Sequence, residues 1–224
     1  MSDARAARRR EKCPRAGQAE GNNNIFIPIL CAYLDDPNQI LLLWFLRRRK
    51  PDSTISAFVS TPEEAGTALD KYGATHDCYW AVGTRSAEYA QKHPELRGGN
   101  NDVTGLIGAN LDIDIYDPVA HAKKNLPRTI EEALEIANAM PIRPRPIVFT
   151  GHGIQVLYLF KELMPLSSPE DRHMAEEVCM RVHAHAARIA EKRGWVVDST
   201  YDLARVLRVP GTVNRKNPNE LVDT

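Results

Sequence analysis

Two aspartates set two apart interrupt an apolar run, Gly108-Ala-Asn-Leu-Asp112-Ile-Asp114-Ile115. Alternate residues of a β-strand point to one face, so the two carboxylates project together while Ile113 and Ile115 pack behind them. Adjacent carboxylates on a half-buried strand repel each other and lose hydration. A hard divalent cation relieves both costs, and magnesium is held by one or two carboxylates plus substrate phosphates. The plain alternative is a solvated pair at a strand end, and the doublet alone does not decide between them.

Two further patches follow along the chain. Thr150-Gly-His-Gly-Ile-Gln155 reads as a glycine-flanked turn between strands, where backbone N–H groups can approach phosphates closely. Thr150, Gly151, His152 and Gly153 would line that cradle. The third patch begins at Val197-Asp198 and continues from Tyr201-Asp-Leu-Ala-Arg205 through Arg208-Val-Pro-Gly-Thr-Val-Asn214-Arg-Lys216. Arg205 and Arg208 would share a face if this stretch were helical, and an arginine fork suits triphosphate oxygens. Asn214 and Lys216 sit just after a Pro-Gly turn, on a loop that could return to a bound phosphate.

In order and wording the three patches resemble the motifs of the archaeo-eukaryotic primase superfamily, in particular the primase-polymerases of plasmids, phages and mobile elements. The likeness spans roughly residues 76 to 217. It pairs Asp112 and Asp114 with the family's Asp-x-Asp, the 150–155 hairpin with its Ser-Gly-x-Gly-x-His, and Asp198 with its hydrophobic-Asp segment. The Arg205-to-Lys216 stretch matches the Arg-x-x-Arg-x-Pro-Gly-Thr-x-Asn-x-Lys ending. One position departs: the family's histidine is Gln155, which can hydrogen-bond a phosphate or sugar but carries no charge and transfers no proton.

The resemblance implies an α/β (α+β) primase catalytic fold of two modules, one like an RNA-recognition motif, with the active site in the cleft between them. It also implies DNA primase and DNA polymerase activity on single-stranded DNA. Two ions of Mg²⁺ or Mn²⁺, about 4 Å apart, serve such chemistry. Asp112 and Asp114 would bridge them, with Asp198 as third ligand and Asp202 as its rival. Thr150, Gly151, His152, Gly153, Gln155, Arg205, Arg208, Asn214 and Lys216 would hold the nucleotide. Implied partners are a single-stranded DNA template, NTP or dNTP substrates and a helicase domain or protein of the same replication system. Two other readings stand beside this one. They are a different Asp-x-Asp phosphotransferase or nuclease, and a replication-initiation or single-strand-binding module whose catalytic site has decayed.

The elements that must position these residues follow from local signals. Thr61-Pro62-Glu63-Glu64 opens a helix that ends at Gly73, and Asp77 to Val82 reads as a strand. Thr129-Ile-Glu-Glu132 is a capping box opening a helix to about Met140. Ile147 to Thr150 and Ile154 to Phe160 read as strands, the first of them buried. A long helix capped at Ser168 stops at Gly194. Trp195 to Asp198 is the last strand expected. The apolar runs Ile25–Asp36 and Gln39–Phe45 are helix or strand, undecided by periodicity. Arg47 to Lys50 read as a solvated edge and Arg85 as an exposed loop arginine, with contact to template or nucleotide as the sharper option. Cys179 and Met180 read as core or near-core, Trp44, Trp80 and Trp195 as packing residues, and His183 with His185 as a poor metal pair. Tyr116 and Tyr201 remain open as base-stacking groups.

At 224 residues the chain can bury a sizeable core, and 43% hydrophobic with 26% charged residues is a globular composition. A formal net charge of zero leaves nucleic-acid binding to local clusters. Four scattered cysteines without Cys-x-x-Cys spacing argue against a disulfide framework or zinc site. No apolar run approaches the roughly 20 residues of a membrane span, so a cytoplasmic protein is the expectation. Residues 1–23 read as a mobile basic arm, 24–217 as the catalytic domain (24–110 mainly an N-terminal module, 111–217 bearing the motifs), and 218–224 as a tail or linker.

Overall fold

The computed structural model describes residues 26–48, 53–118, 121, 123, 125–216 and 222–224. The expected basic arm, Arg49 and Lys50 lie outside the described residues, as does most of the C-terminal tail. The run from Ile25 resolves into helix α1 (Phe26–Cys31), and the next into strand β1 (Gln39–Arg47). Then come β2 (Ser53–Val59), α2 (Pro62–Tyr72), β3 (Asp77–Ala81), β4 (Gly83–Ser86), α3 (Ala87–Lys92) and β5 (Gly105–Asp114). The chain continues through α4 (Ile130–Asn138), β6 (Ile147–Phe149), β7 (Gly153–Pro165) and α5 (Pro169–Glu191), and ends in β8 (Val206–Arg208), β9 (Val213–Asn214) and β10 (Val222–Asp223).

Side-chain caps explain where three helices begin. Thr61 and Ser168 each accept a hydrogen bond from the backbone three residues on, and Glu64 and Asp171 return one, completing capping boxes. Thr129 accepts from the Glu132 N–H in the same way. Gly194, with φ of 74°, takes the left-handed conformation beyond the end of α5.

Eight strands form one antiparallel sheet in the order β6-β7-β5-β4-β1-β3-β8, with β2 also paired to β1. The fold is therefore the expected mixture of helices and sheet. β9 and β10 make a separate ribbon. Helix α5 lies on β5 and α4 on β7. Leu111 and Ile113 of β5 are fully buried in a core shared with Ala133, Ile136, Ala175 and Ala186 from these helices.

Four sequence expectations change. Trp195–Asp198 is not a strand: Trp195 N–H bonds the end of α5 at Ala190, and Val196 N–H bonds Asn125, so the segment is held by turns and loop contacts. The strand of this region is β8, which begins after Arg205, so Arg205 and Arg208 do not share a helical face. β6 is half exposed, with Ile147 and Phe149 facing outward. Met180 on α5 is 46% exposed while Cys179 is buried. Among the described residues, no helix is long and apolar enough to cross a membrane.

Candidate active site

The register of β5 against β7 sets the site. Asp112 lies opposite Gln155 and Asp114 opposite Gly153, so carboxylates, amide and glycine share one face of the sheet. Gly153 is required there: a Cβ would meet the Ile113 carbonyl oxygen at 2.5 Å. At Gly151, φ of 89° and the Val222 side chain, 2.8 Å from where a Cβ would stand, exclude other residues.

Burial and the neighbouring Asp114 push the Asp112 carboxyl up to about 6, against the pull of Arg205, His121 and Lys216. These groups are themselves placed by specific contacts. His121 sits with Nδ1 2.9 Å from Asp114 Oδ2 and with Nε2 2.8 Å from Lys216 Nζ. Because the ammonium can only donate, His121 accepts at Nε2 and donates from Nδ1 to the carboxylate. Burial holds the Lys216 ammonium below the usual lysine range despite Asp114 and Asp112. The backbone N–H of Lys216 bonds Asn214 Oδ1 (2.9 Å), and the Asn214 amide donates to the Thr150 carbonyl. The glycine turn and the 214–216 segment are thus one unit.

Arg205 is ion-paired with Asp202, and its carbonyl accepts from Val82 N–H. Asp198 is held by Lys123 at 2.7 Å, with both side chains substantially exposed. Gln155 is buried and its Oε1 accepts from the Arg208 N–H at 2.9 Å, so the amide oxygen braces β8. The Thr150 N–H and hydroxyl both bond the Gly153 carbonyl inside the turn. His152 is buried, 3.8 Å from Asp117.

Arg208 is also buried: it donates to Asp77 Oδ1 (3.0 Å) and to the Tyr79 hydroxyl (2.9 Å). Asp77 is the residue that sequence reasoning missed. Fully buried, it also takes Arg48 and the Arg215 N–H (2.7 Å), and Arg48 reaches Tyr79. Arg48 is thus exposed at the edge, as expected, and at the same time bound to Asp77. Burial alone would raise the Asp77 carboxyl, but Arg208, the Arg215 N–H and Arg48 together hold it below the usual carboxylate range. Arg85 is corrected too: it is completely buried and donates to the carbonyls of Gly83, Thr84 and Arg97. It is a packing residue at the β4 junction.

Tyr116 is covered by the Arg128 guanidinium at 4.7 Å, and Tyr201 lies against His183 while remaining 42% exposed. Among the described residues, no three His, Cys, Asp or Glu side chains are gathered as a metal-holding group. Asp112 and Asp114 are brought together; Asp198 and Asp202 are each engaged by a neighbouring cation.

No family model matches the sequence, and no curated protein does. A solved structure does resemble the fold: the AEP domain (PP-N190) of the cyanophage S-2L primase-polymerase. The TM-score is 0.55 at 15% identity, over 89% of this chain and 86% of that one. The fold is that of an archaeo-eukaryotic-primase-like domain. At this identity the likeness describes architecture, and the chemistry rests on the residues above.

Proposed function

We propose that this chain is a primase-polymerase catalytic domain that performs template-directed nucleotidyl transfer on single-stranded DNA. The observation that supports it best is the shared face of Asp112, Asp114 and the Gly153 turn, ringed by Lys216, His121 and Arg205. Two oxygen-only carboxylates whose mutual repulsion is left partly unrelieved fit a hard divalent cation such as Mg²⁺ or Mn²⁺. Asp112 and Asp114 would hold it, and Asp198, released from Lys123, would add the third carboxylate, with Asp202 as its rival. The ions, when bound, supply charge stabilisation for the attacking and leaving oxygens.

The protein's own groups do the rest. Lys216, steered by His121 and Asn214, presents an ammonium to the incoming triphosphate, and Arg205, on exchanging Asp202 for phosphate, would add a second cation. The Asp77 cluster fixes Arg208 and Gln155, so that the 205–216 segment keeps its position over the turn. The test is nucleotide incorporation on an unprimed single-stranded template with Mg²⁺ or Mn²⁺, using both nucleotide types. Asp112→Ala with Asp114→Ala should abolish product; wild-type synthesis by that variant would overturn the assignment.

A second reading, a single-strand-binding module with a decayed site, is favoured by one observation. Gln155 stands where the resembling family carries histidine, and its oxygen is turned to the Arg208 backbone. Tight single-strand binding without triphosphate binding would decide for it.

A further inference from the structure

A stripe on the surface remains after the site is accounted for. From Arg143 to Phe149 the chain alternates: Arg143, Arg145, Ile147 and Phe149 are exposed, while Pro144 and Val148 are buried. At one end, Arg143 and Arg145 border a cavity of about 440 Å³ whose floor includes Ala109, Tyr158 and Phe160. Its lining also carries Arg181 and His185 and holds no acidic residue. Arg181 is engaged by Glu177, but among the described residues neither Arg143 nor Arg145 belongs to an ion pair. At the other end, Phe149 lines a cavity of about 200 Å³ together with Tyr116, Arg128, Gly151 and His152. Phe149 pairs with Ile154, which lies opposite Ile113, so the stripe is on the face of the sheet away from Asp112 and Asp114. The cavity reaches the end of β5 at Asp117, where His152 in its wall lies against His121, the partner of Asp114.

We propose that this stripe is a track for single-stranded nucleic acid that passes round the end of β5, by His152, to the candidate active site on the other face of the sheet. The proposal rests on the reading given under Proposed function and adds the surface that carries the strand. Two unpaired arginines supply phosphate contacts, and an exposed phenylalanine with an aliphatic neighbour supplies a stacking platform. At no more than about 3.3 Å per residue the stripe spans at most roughly 20 Å, room for a few nucleotides. A peptide strand adding to the β6 edge fits less well. β6 is three residues long, and Pro144 and Pro146 before it have no N–H to offer. Because the chain carries no net charge, binding to an anionic strand must come from such a local patch.

The test measures binding of a fluorescein-labelled 20-nucleotide oligo(dT) in metal-free buffer, by anisotropy over a range of salt. Arg143→Glu with Arg145→Glu should weaken binding at least tenfold. It should also flatten the log–log salt dependence by about 1.4, at about 0.7 per single-strand phosphate contact. Phe149→Ala should weaken it about fivefold or more. The two arginines are exposed, so circular dichroism melts of their variants should match the wild type, and Phe149→Ala is compared at a temperature where its own melt shows it folded; the Gln pair at 143 and 145 repeats the test without charge reversal. Triphosphate affinity should not change. Binding by the variants within twofold of wild type overturns the track, and if the wild type still incorporates nucleotides on a template, the functional reading survives alone. A wild type that neither binds the oligonucleotide nor incorporates nucleotides overturns both.

Discussion

Burial and Asp114 place the Asp112 carboxyl near 6 in the folded protein, above the unfolded value of 3.8. A raised carboxyl binds a proton more tightly in the folded state. Its ionisation therefore opposes folding, with no effect below about pH 4 and its full effect above about pH 6. In the metal-free protein Asp112→Asn should raise stability at pH 7 by roughly 1–3 kcal/mol, the lower part of that range reflecting partial solvent access. The gain should shrink as pH falls from 6 towards 4, in thermal melts taken at several pH values. A constant gain across that range would assign the effect to something other than this carboxyl. The doublet and its shared face were legible because strand alternation is local. Neither its protonation nor the His121–Lys216 pair was, since the latter joins residues 95 apart in sequence.

Asp77 organises the ends of three strands: it sits on β3, binds Arg208 at the end of β8, and holds Arg48 just past β1. Removing a buried carboxylate that serves two guanidinium groups leaves both unneutralised. Asp77→Asn should therefore cost about 3–5 kcal/mol, read by urea denaturation. With its carboxyl held low, the stabilisation from Asp77 is complete above the unfolded value and disappears as pH falls through the lower folded one. A variant that unfolds at the wild-type midpoint would show that the cluster is ornamental. Gly153→Ala should cost about 1–3 kcal/mol at the other end of the sheet, because its Cβ meets the Ile113 carbonyl unless β5 and β7 part. At this scale the sequence is legible where the signal is local. Thr61, Thr129 and Ser168 each announce a helix start through contacts three residues long. Trp195–Asp198 carries strand-like residues yet is fixed by Ala190 and Asn125, and nothing near Arg208 in the sequence announces its bond to Asp77, 131 positions away.

One sheet runs from β6 to β8, so the carboxylate strand β5 and the Asp77 strands β3 and β8 belong to one hydrogen-bonded body. The mixed α/β primase-like fold that the resemblance implied is matched by the cyanophage domain. What motif order does not convey is that β8 returns to pair with β3, carrying Arg208 and the 214–216 segment back over the turn at 151–153. A ligand that binds the folded site alone must stabilise this body as a whole. Mn²⁺ at a hundred times its dissociation constant should contribute about 2.7 kcal/mol, which for a chain of this size raises Tm by roughly 5–10 °C. The rise should be absent in the Asp112→Asn, Asp114→Asn double variant. It should also move a single transition followed alike by tryptophan fluorescence and circular dichroism, because Trp80 on β3 and the carboxylates on β5 share the sheet. An equal Mn²⁺ shift in the double variant would remove the metal site from these two residues. A shift seen by one probe and not the other would show that the sheet does not melt as a unit.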